Sequence, residues 1–214
     1  MRRHKFLILA CLLATACSVE AEERRVAAML PPDPVVSDFV VCHGSNCHVR
    51  TETGLTDEEW SKVAAIFDPP AETAEDERER IARAIGLIER YVGPKTNTQS
   101  DVGRNRPVSD QSTQLDCIDE SVNTTTYLRM IDADGLLHWH SVGLPAHREA
   151  EFLDLHNTAV IVVREDGEAW AVDSWFGPNG VPADVVPLEI WRAGWQPGRP
   201  IPRAGDSASL TPVP

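Results

Sequence analysis

The stretch that decides the fold is Leu115-Asp116-Cys117-Ile118-Asp119-Glu120-Ser121, which runs on through Val122-Asn123-Thr124-Thr125-Thr126-Tyr127-Leu128. Asp116 is a good N-cap for a helix that begins at Cys117. Amide donors at a helix start favour a thiolate over a thiol. Successive threonines are weak helix formers, so packing within the fold must hold this helix. The stretch therefore predicts a cysteine at the start of a helix that tertiary contacts stabilise.

Neighbouring carboxyl groups work against activation of this cysteine. Asp116, Asp119 and Glu120 repel a negative charge on sulfur and so favour the neutral thiol. An imidazolium in contact with the sulfur would outweigh them. The hypothesis of a reactive Cys117 therefore depends on a histidine from elsewhere in the chain, and the alternative is a buried structural cysteine.

Such a histidine opens the next strongly apolar segment. His156 comes 39 residues after Cys117 and precedes the run Thr158-Ala159-Val160-Ile161-Val162-Val163, which is typical of a central strand covered on both faces. A turn at Glu165-Asp166-Gly167 then predicts an antiparallel partner strand that ends near Asp173. A thiol, an imidazole and a carboxylate in this order can act as nucleophile, base and orienter of the base.

The register of this hairpin is critical. A tight two-residue turn would place Val160, not His156, opposite Asp173. The four-residue offset is about 13 Å, too far for a hydrogen bond. Contact between His156 and Asp173 therefore requires a wider turn or a bulge.

The chain resembles the transglutaminase-like superfamily, most closely the bacterial transglutaminase-like cysteine proteinases. The resemblance covers about residues 110–180 and is carried by Asp116-Cys117-Ile118-Asp119-Glu120, His156-Asn157-Thr158-Ala159-Val160 and Ala171-Val172-Asp173-Ser174-Trp175. It implies an α+β, papain-like core, in which a helix bearing the cysteine packs on an antiparallel sheet.

The resemblance also implies roles for individual residues. Cys117 would be the nucleophile, His156 the base and Asp173 the orienter, and Gln111 or Gln114 would supply an oxyanion-hole amide. The implied activity is that of a cysteine protease or amidase, or of an acyltransferase, acting on a protein or peptide through a thioester. Hydrolysis is favoured because water is the commoner acceptor. The alternative is a catalytically inactive envelope protein with a binding or scaffolding role.

Residues 1–16 have the features of a secretory signal. A basic start, an apolar run over residues 6–13 and small residues at 14–16 precede a cleavage site. The segment also suits a bacterial lipoprotein signal, in which Cys17 would be lipidated and attach the protein to a membrane. In both cases we expect export across the inner membrane, to the periplasm or an outer-membrane anchor.

The net charge of the mature chain limits the classes of partner that we expect it to bind. Without residues 1–16, 17 basic residues face 33 acidic ones, a net charge of −16. This excess argues against nucleic acid and anionic lipid as partners. We expect no cofactor.

The segment Cys42-His43-Gly44-Ser45-Asn46-Cys47-His48 places four residues between two cysteines. Covalent haem attachment commonly has two residues there, and zinc ligands this close would strain a tetrahedral site. We therefore expect a disulfide between Cys42 and Cys47, with residues 44–46 as the bend. Cys117 would then remain as a free thiol.

Further helices and strands surround these motifs. Thr56 and Glu59 form a capping box at the start of one helix, and a second helix is predicted from about residue 74 to 91. Residues 136–142 predict a strand on which His138 and His140 share a face. A metal completed by His147 is one interpretation of these histidines, and exposed side chains are the other; we expect no metal.

These signals divide the chain. We predict a signal at 1–16, a disordered tether at 17–36, a disulfide turn and helical leader at 37–94, the core at 95–195 and a flexible tail at 196–214.

Overall fold

A computed structural model describes residues 18–106, 112–150 and 154–199, and these form an α+β fold with antiparallel sheets. Cys17, predicted to be lipidated, and Gln111, predicted to be an oxyanion donor, lie outside the described residues. The signal and residues 200–214 of the tail lie outside them as well. Across the described ranges, no helix combines the length and apolar character needed to cross a membrane.

After a helical segment at residues 18–27, the described chain continues with two strands, three helices, five strands and a short helix. The helices are α1 (Asp57–Ala64), α2 (Ala74–Thr96), α3 (Cys117–Ala133) and α4 (Leu188–Arg192), and a 3-10 turn (Ala65–Phe67) extends α1. The strands are β1 (Phe39–His43), β2 (Val49–Thr53), β3 (His140–Val142), β4 (Ala146–Ala150), β5 (Asp154–Val163), β6 (Ala169–Asp173) and β7 (Asp184–Pro187).

Helix α3 is buried on nearly every side, although many of its residues are polar. Thr125 and Thr126 donate their hydroxyls to carbonyls one turn earlier in the same helix. Thr124 instead shares a hydrogen bond with Ser174 of the sheet, 3.0 Å away. Because each hydroxyl has a partner, the threonine run can be buried without a large desolvation cost.

Strand β5 is the centre of the larger sheet, as its apolar sequence predicted. β3 and β4 pair with successive parts of one edge of β5, β6 pairs with the other edge, and β7 follows β6. Helix α3 and the leader helices pack on one face, around Ala159 and Ile161. Trp191 of α4 covers the other face, against Val160.

The disulfide between Cys42 and Cys47 is confirmed, and it closes the turn of the hairpin β1–β2. Cys117 is free. The capping box of Thr56 and Glu59 is also confirmed.

The prediction of a disordered tether at residues 17–36 is wrong for residues 18–36. Residues 18–27 are helical, and Val26 is fully buried against Cys42 and Val122. Apolar side chains in this polar segment therefore anchor it on the start of α3, so that it becomes part of the fold.

Two further boundaries differ from the prediction. Helix α2 continues past Gly93 and Pro94 to Thr96, where Asn97 ends it in a left-handed conformation. A proline in the last turn removes only one amide donor, so the helix can run on for two residues. The strand predicted at 136–142 begins only at His140.

Candidate functional site

The start of α3 has the local structure that its sequence predicted. One carboxylate oxygen of Asp116 accepts hydrogen bonds from the backbone N–H groups of Ile118 and Asp119, each at 3.0 Å. Asp119 reaches back to accept from the backbone N–H of Asp116 at 3.1 Å. This reciprocal capping box places Cys117 as the first residue of the helix, where its own N–H has no acceptor within the helix.

The disulfide loop holds both capping carboxylates from outside the helix. The backbone N–H groups of Ser45 and Cys47 donate to Asp119 at 2.8 and 2.6 Å, and that of Asn46 donates to Asp116 at 2.8 Å. Residues 44–47 all have positive φ angles, between 55° and 75°. This conformation turns successive amides towards one side, which makes a concave anion-binding surface. The leader thus fixes the helix that carries the thiol.

Burial weakens the charge repulsion that the sequence predicted around Cys117. It raises the pKa of Glu120 well above its ordinary value, and the nearby Glu89 adds to that shift. Burial and Asp116 also raise the pKa of Asp119 to about 7, although backbone donors oppose them. Burial therefore favours the protonated forms of Glu120 and Asp119, so they oppose a thiolate less than two full charges would.

The structure brings His156 and Asp173 together. His156 Nε2 lies 2.7 Å from Asp173 Oδ2, and both side chains are 1% exposed. The pairing of Ala159 with Val172, continued by one residue, puts Thr158 opposite Asp173. His156 and Asp173 are therefore a diagonal pair, which lies within reach of long side chains.

The hairpin turn makes this diagonal contact possible. Val163 and Glu168 pair across it, so the turn contains residues 164–167 rather than the two residues of a tight turn. The wider turn moves the partner of Asp173 from Val160 to Thr158, which halves the offset from His156.

Three aromatic rings enclose the imidazole of His156. The ring centroids of Trp175, Phe176 and Trp191 lie 4.5, 5.3 and 5.4 Å from it. Trp191 Nε1 also donates to Asp173 Oδ2 at 2.7 Å. Trp191 therefore binds the same carboxylate oxygen that pairs with His156.

Electrostatics favour the protonated form of His156. Burial lowers its pKa, but Asp173 and the thiol of Cys117 outweigh burial and raise the pKa to about 9. His156 Nδ1 is buried and has no hydrogen-bond partner among the described residues. The nitrogen that could exchange a proton with a neighbouring sulfur is therefore unoccupied.

A second side chain of β5 approaches Cys117 directly. Asn157 Nδ2 donates to Cys117 Sγ at 3.8 Å, and Asn157 Oδ1 lies 3.2 Å from His147 Nδ1. A cleft of about 580 Å³ opens beside the thiol. Side chains from the N-terminal helical segment, the loop before α3, β4, β5 and the segment after β6 line it, among them Glu22, Arg106, His147, Glu149, Asn157 and Trp175.

Gln114 does not join this site. Its Oε1 accepts from the backbone N–H of Val102 at 3.1 Å, and its Nε2 donates to the carbonyl of Ser100 at 3.0 Å. Both ends of the amide therefore hold the loop before α3, and the side chain points no donor at Cys117.

The histidines considered for a metal are not gathered into one site. His140 pairs with Glu77 in the core at 2.8 Å, while His147 pairs with Asn157 near Cys117. Within the described ranges no three metal-binding side chains come close enough together to hold an ion.

No protein-family model, curated protein or solved structure significantly matches this chain. The site must therefore be interpreted from its own geometry. Sequence reasoning missed Asn157, His147 and Trp191 as members of it. For Asn157 a signal was present, because it directly follows the proposed base, whereas Trp191 reaches the site only through the packing of α4.

Proposed function

We propose that this protein is a secreted Cys-His-Asp thiol hydrolase that cleaves an amide or peptide bond through a thioester. The observation that supports this best is the buried pair of His156 and Asp173. It leaves His156 Nδ1 unoccupied beside Cys117, which starts a helix and opens to a cleft. In the proposed function Cys117 is the nucleophile, His156 its base and Asp173 the carboxylate that orients the base.

The proposed reaction starts from the ion pair that the raised pKa of His156 favours, in which the Cys117 proton has already passed to His156 Nδ1. The thiolate then attacks the amide carbonyl carbon, a C–S bond forms, and the π electrons move to the oxygen. When the tetrahedral intermediate collapses, the C–N bond breaks and His156 returns its proton to the leaving amine. Water, deprotonated by His156, attacks the thioester, the C–S bond breaks, and the acid and the thiol are released.

The fold context of this proposal is a papain-like, transglutaminase-like core. Its support is a helix that bears the cysteine and packs on an antiparallel sheet bearing the histidine and the aspartate. The substrate would be a protein or peptide, because the cleft is open and lined by polar and apolar side chains. The proposed location is the cell envelope, with attachment through a lipidated Cys17 if the signal is of the lipoprotein type.

The test is reactivity of Cys117 in the mature protein. We expect iodoacetamide to alkylate Cys117 at pH 6 faster in the folded protein than in urea-unfolded protein. The same thiol in urea-unfolded protein is the matched control for its intrinsic reactivity. p-Nitrophenyl acetate should give a burst of acylation in the wild type and none in Cys117→Ala. Alkylation at pH 6 no faster in the folded protein than in the unfolded protein, together with no burst, would overturn the proposal.

One observation favours the alternative of a catalytically inactive, binding or scaffolding protein. His156 Nδ1 makes no hydrogen bond among the described residues, so the proton relay to Cys117 is not closed in this conformation. Catalytic hydrogen bonds often tighten only when substrate binds. The reactivity test separates the two functions, because an inert scaffold would keep Cys117 as reactive as an ordinary buried thiol.

A further inference from the structure

Consecutive residues of β5 reach Cys117 from two sides. His156 shares its face of the sheet with Val160 and the ring of Trp191, whereas Asn157 shares the opposite face with Ala159, which packs towards α3. Asn157 is 4% exposed, and its Nδ2 lies 3.8 Å from Cys117 Sγ. The sulfur therefore has a fixed N–H donor from the side chain of Asn157.

His147 determines which end of the Asn157 amide faces the sulfur. The two residues are directly opposite each other in the pairing of β4 with β5. His147 Nδ1 lies 3.2 Å from Asn157 Oδ1, so an Nδ1–H donates to that oxygen. Because the oxygen is engaged there, the NH₂ group must point towards Cys117. His147 is 5% exposed, and its backbone N–H donates to Glu23 at 3.1 Å, which holds it in place.

We propose that Asn157 is the side-chain oxyanion donor for Cys117 and that His147 is the positioning residue that orients its amide. This inference rests on the proposed thiol hydrolase function and adds a catalytic residue to it. A donor 3.8 Å from the sulfur leaves room for a reacting oxygen about 3 Å from both. The amide only donates hydrogen bonds and keeps both of its protons throughout the reaction.

The backbone N–H of Cys117 is the second donor of this site. It belongs to the first residue of α3 and has no acceptor within the helix. Two N–H groups on one side of the developing charge are the usual arrangement for stabilising a tetrahedral intermediate. Asn157 thus fills the role that the sequence analysis gave to Gln111 or Gln114, and the amide of Gln114 is engaged with backbone groups of its own loop.

The test compares two reactions of the same thiol in the full mature chain. Alkylation by iodoacetamide develops no oxyanion, whereas acylation by p-nitrophenyl acetate does. We expect Asn157→Ala to slow acylation by about 10²-fold or more and to slow alkylation much less, so that the ratio of the rates falls. Asn157→Leu keeps the approximate size of the side chain without its N–H donors and adds no charge beside the sulfur, so it should lower the ratio as well. It serves in place of Asn157→Ala if the alanine variant fails to fold.

Gln114→Ala is the matched control, since it removes an amide at the alternative position. It should leave the ratio of acylation to alkylation unchanged. An equal loss in both reactions for Asn157→Leu, or no loss in either, would overturn the role of Asn157. That result would leave the proposed function standing if the wild type still shows the faster alkylation at pH 6 and a burst. A wild type without either property would overturn both.

The positioning role of His147 has a separate signature. His147→Leu should lower the ratio nearly as much as Asn157→Ala, because the amide can then rotate. His147→Asn places an amide N–H close to the position of Nδ1 and should restore most of the ratio. If His147→Leu lowered the melting temperature but left the ratio unchanged, its role would be purely structural and this part of the proposal would be wrong.

Discussion

His156 is the residue at which the opposing electrostatic effects of the site meet. Burial favours its neutral form, whereas Asp173 and the thiol of Cys117 favour the imidazolium, and the second effect is larger. The surrounding aromatic rings act in the same direction, since their π faces attract a cation. With its pKa raised to about 9, His156 is charged at neutral pH and can stabilise a neighbouring thiolate.

Removing the negative charge of Asp173 should reverse that balance. We expect Asp173→Asn to move the pKa of His156 from about 9 down towards its ordinary value of 6.5 or below, because burial then acts with less opposition. The pH at which acylation is lost on the alkaline side should fall with it. NMR titration of the ring protons and the pH profile of the acylation burst would measure both shifts.

Asp184→Asn is the control for this experiment. Asp184 lies opposite Asp173 in the pairing of β6 with β7. Within the described residues, the carboxylate that pairs with His156 is that of Asp173 and not that of Asp184. Its substitution should move the pKa of His156 much less. An unchanged His156 titration in Asp173→Asn would show that Asp173 has only a packing role.

Trp191→Phe should destabilise the protein through Asp173. The indole N–H donates at 2.7 Å to the same carboxylate oxygen that binds His156, and Trp191 is fully buried. Loss of a buried hydrogen bond to a charged group costs about 1.5–3 kcal/mol. Urea unfolding would measure the change. Trp139→Phe is a matched control, since its indole N–H donates to the carbonyl of Ala71 in a half-buried position. It should cost less, and an equal cost would contradict the special role of Trp191.

For the helices and strands, the sequence predicted the features that depend on residues close together in the chain. The cap at Asp116, the disulfide and the central position of β5 are all confirmed, because each follows from side chains near one another in the chain. The contact between His156 and Asp173 could be stated only as a condition, since it depends on a difference of two residues in hairpin register.

Other features of the site have no local signal. The pairing of His147 with Asn157 depends on β4 pairing with β5. The periodicity of residues 146–150 does not predict this strand pairing. The order of residues 18–27 depends on a hydrophobic surface made by Cys42 and Val122, far away in sequence. Such features arise from tertiary packing, which a single sequence does not reveal.

The connection between α3 and β1 is a test at the scale of helices and strands. Asn123 accepts from the backbone N–H of Cys42 at 2.7 Å and donates to its carbonyl at 2.8 Å, all in the interior. Asn123→Ala leaves two buried backbone groups without partners, at about 1–3 kcal/mol each. Urea unfolding should show this loss, and Cys117 should become more accessible to alkylation as the helix loosens.

Thr126→Val is the control for that variant. The Thr126 hydroxyl donates only to the carbonyl of Val122 in its own helix, which already serves the helical ladder. The substitution removes a buried hydroxyl without leaving a backbone group unpaired, so it should cost under about 1 kcal/mol. If both variants were equally destabilised, Asn123 would not be the link that holds the leader to α3.

For the whole molecule, the leader and the segment that bears the site share one interior. The largest hydrophobic cluster mixes residues of α2, α3 and β5, represented by Ile81, Leu128 and Ile161. Acidic groups lie in the same interior, since Glu89 and Asp101 are both largely buried. Burial raises the pKa of Glu89 to about 8 and that of Asp101 to about 7. The folded protein therefore carries protons at neutral pH that the unfolded chain has lost.

This difference in bound protons predicts how stability depends on pH. The carboxyls of Glu89 and Asp101 have pKa values raised above those of the unfolded chain. The stability that these groups contribute to the fold is therefore fully present below about pH 4 and is lost as the pH rises through 7 to 8. Because its pKa is also raised, His156 lowers the stability further as the pH rises from about 6.5 to 9. We therefore expect the melting temperature to be higher at pH 5.5 than at pH 8.5.

Substitution of one buried carboxyl gives the decisive measurement. Glu89→Gln can keep an acceptor for the backbone N–H of Gly180 but cannot titrate. Between pH 5.5 and 7.5, the unfolding free energy of this variant should fall less steeply than that of the wild type, by about 1.4 kcal/mol per pH unit. Glu58→Gln, at an exposed carboxyl paired with Lys62, should leave that slope unchanged. Stability that rose from pH 5.5 to 8.5 in the wild type would mean that these carboxyls are ionised within the fold, and the pKa shifts assigned to burial would then be wrong.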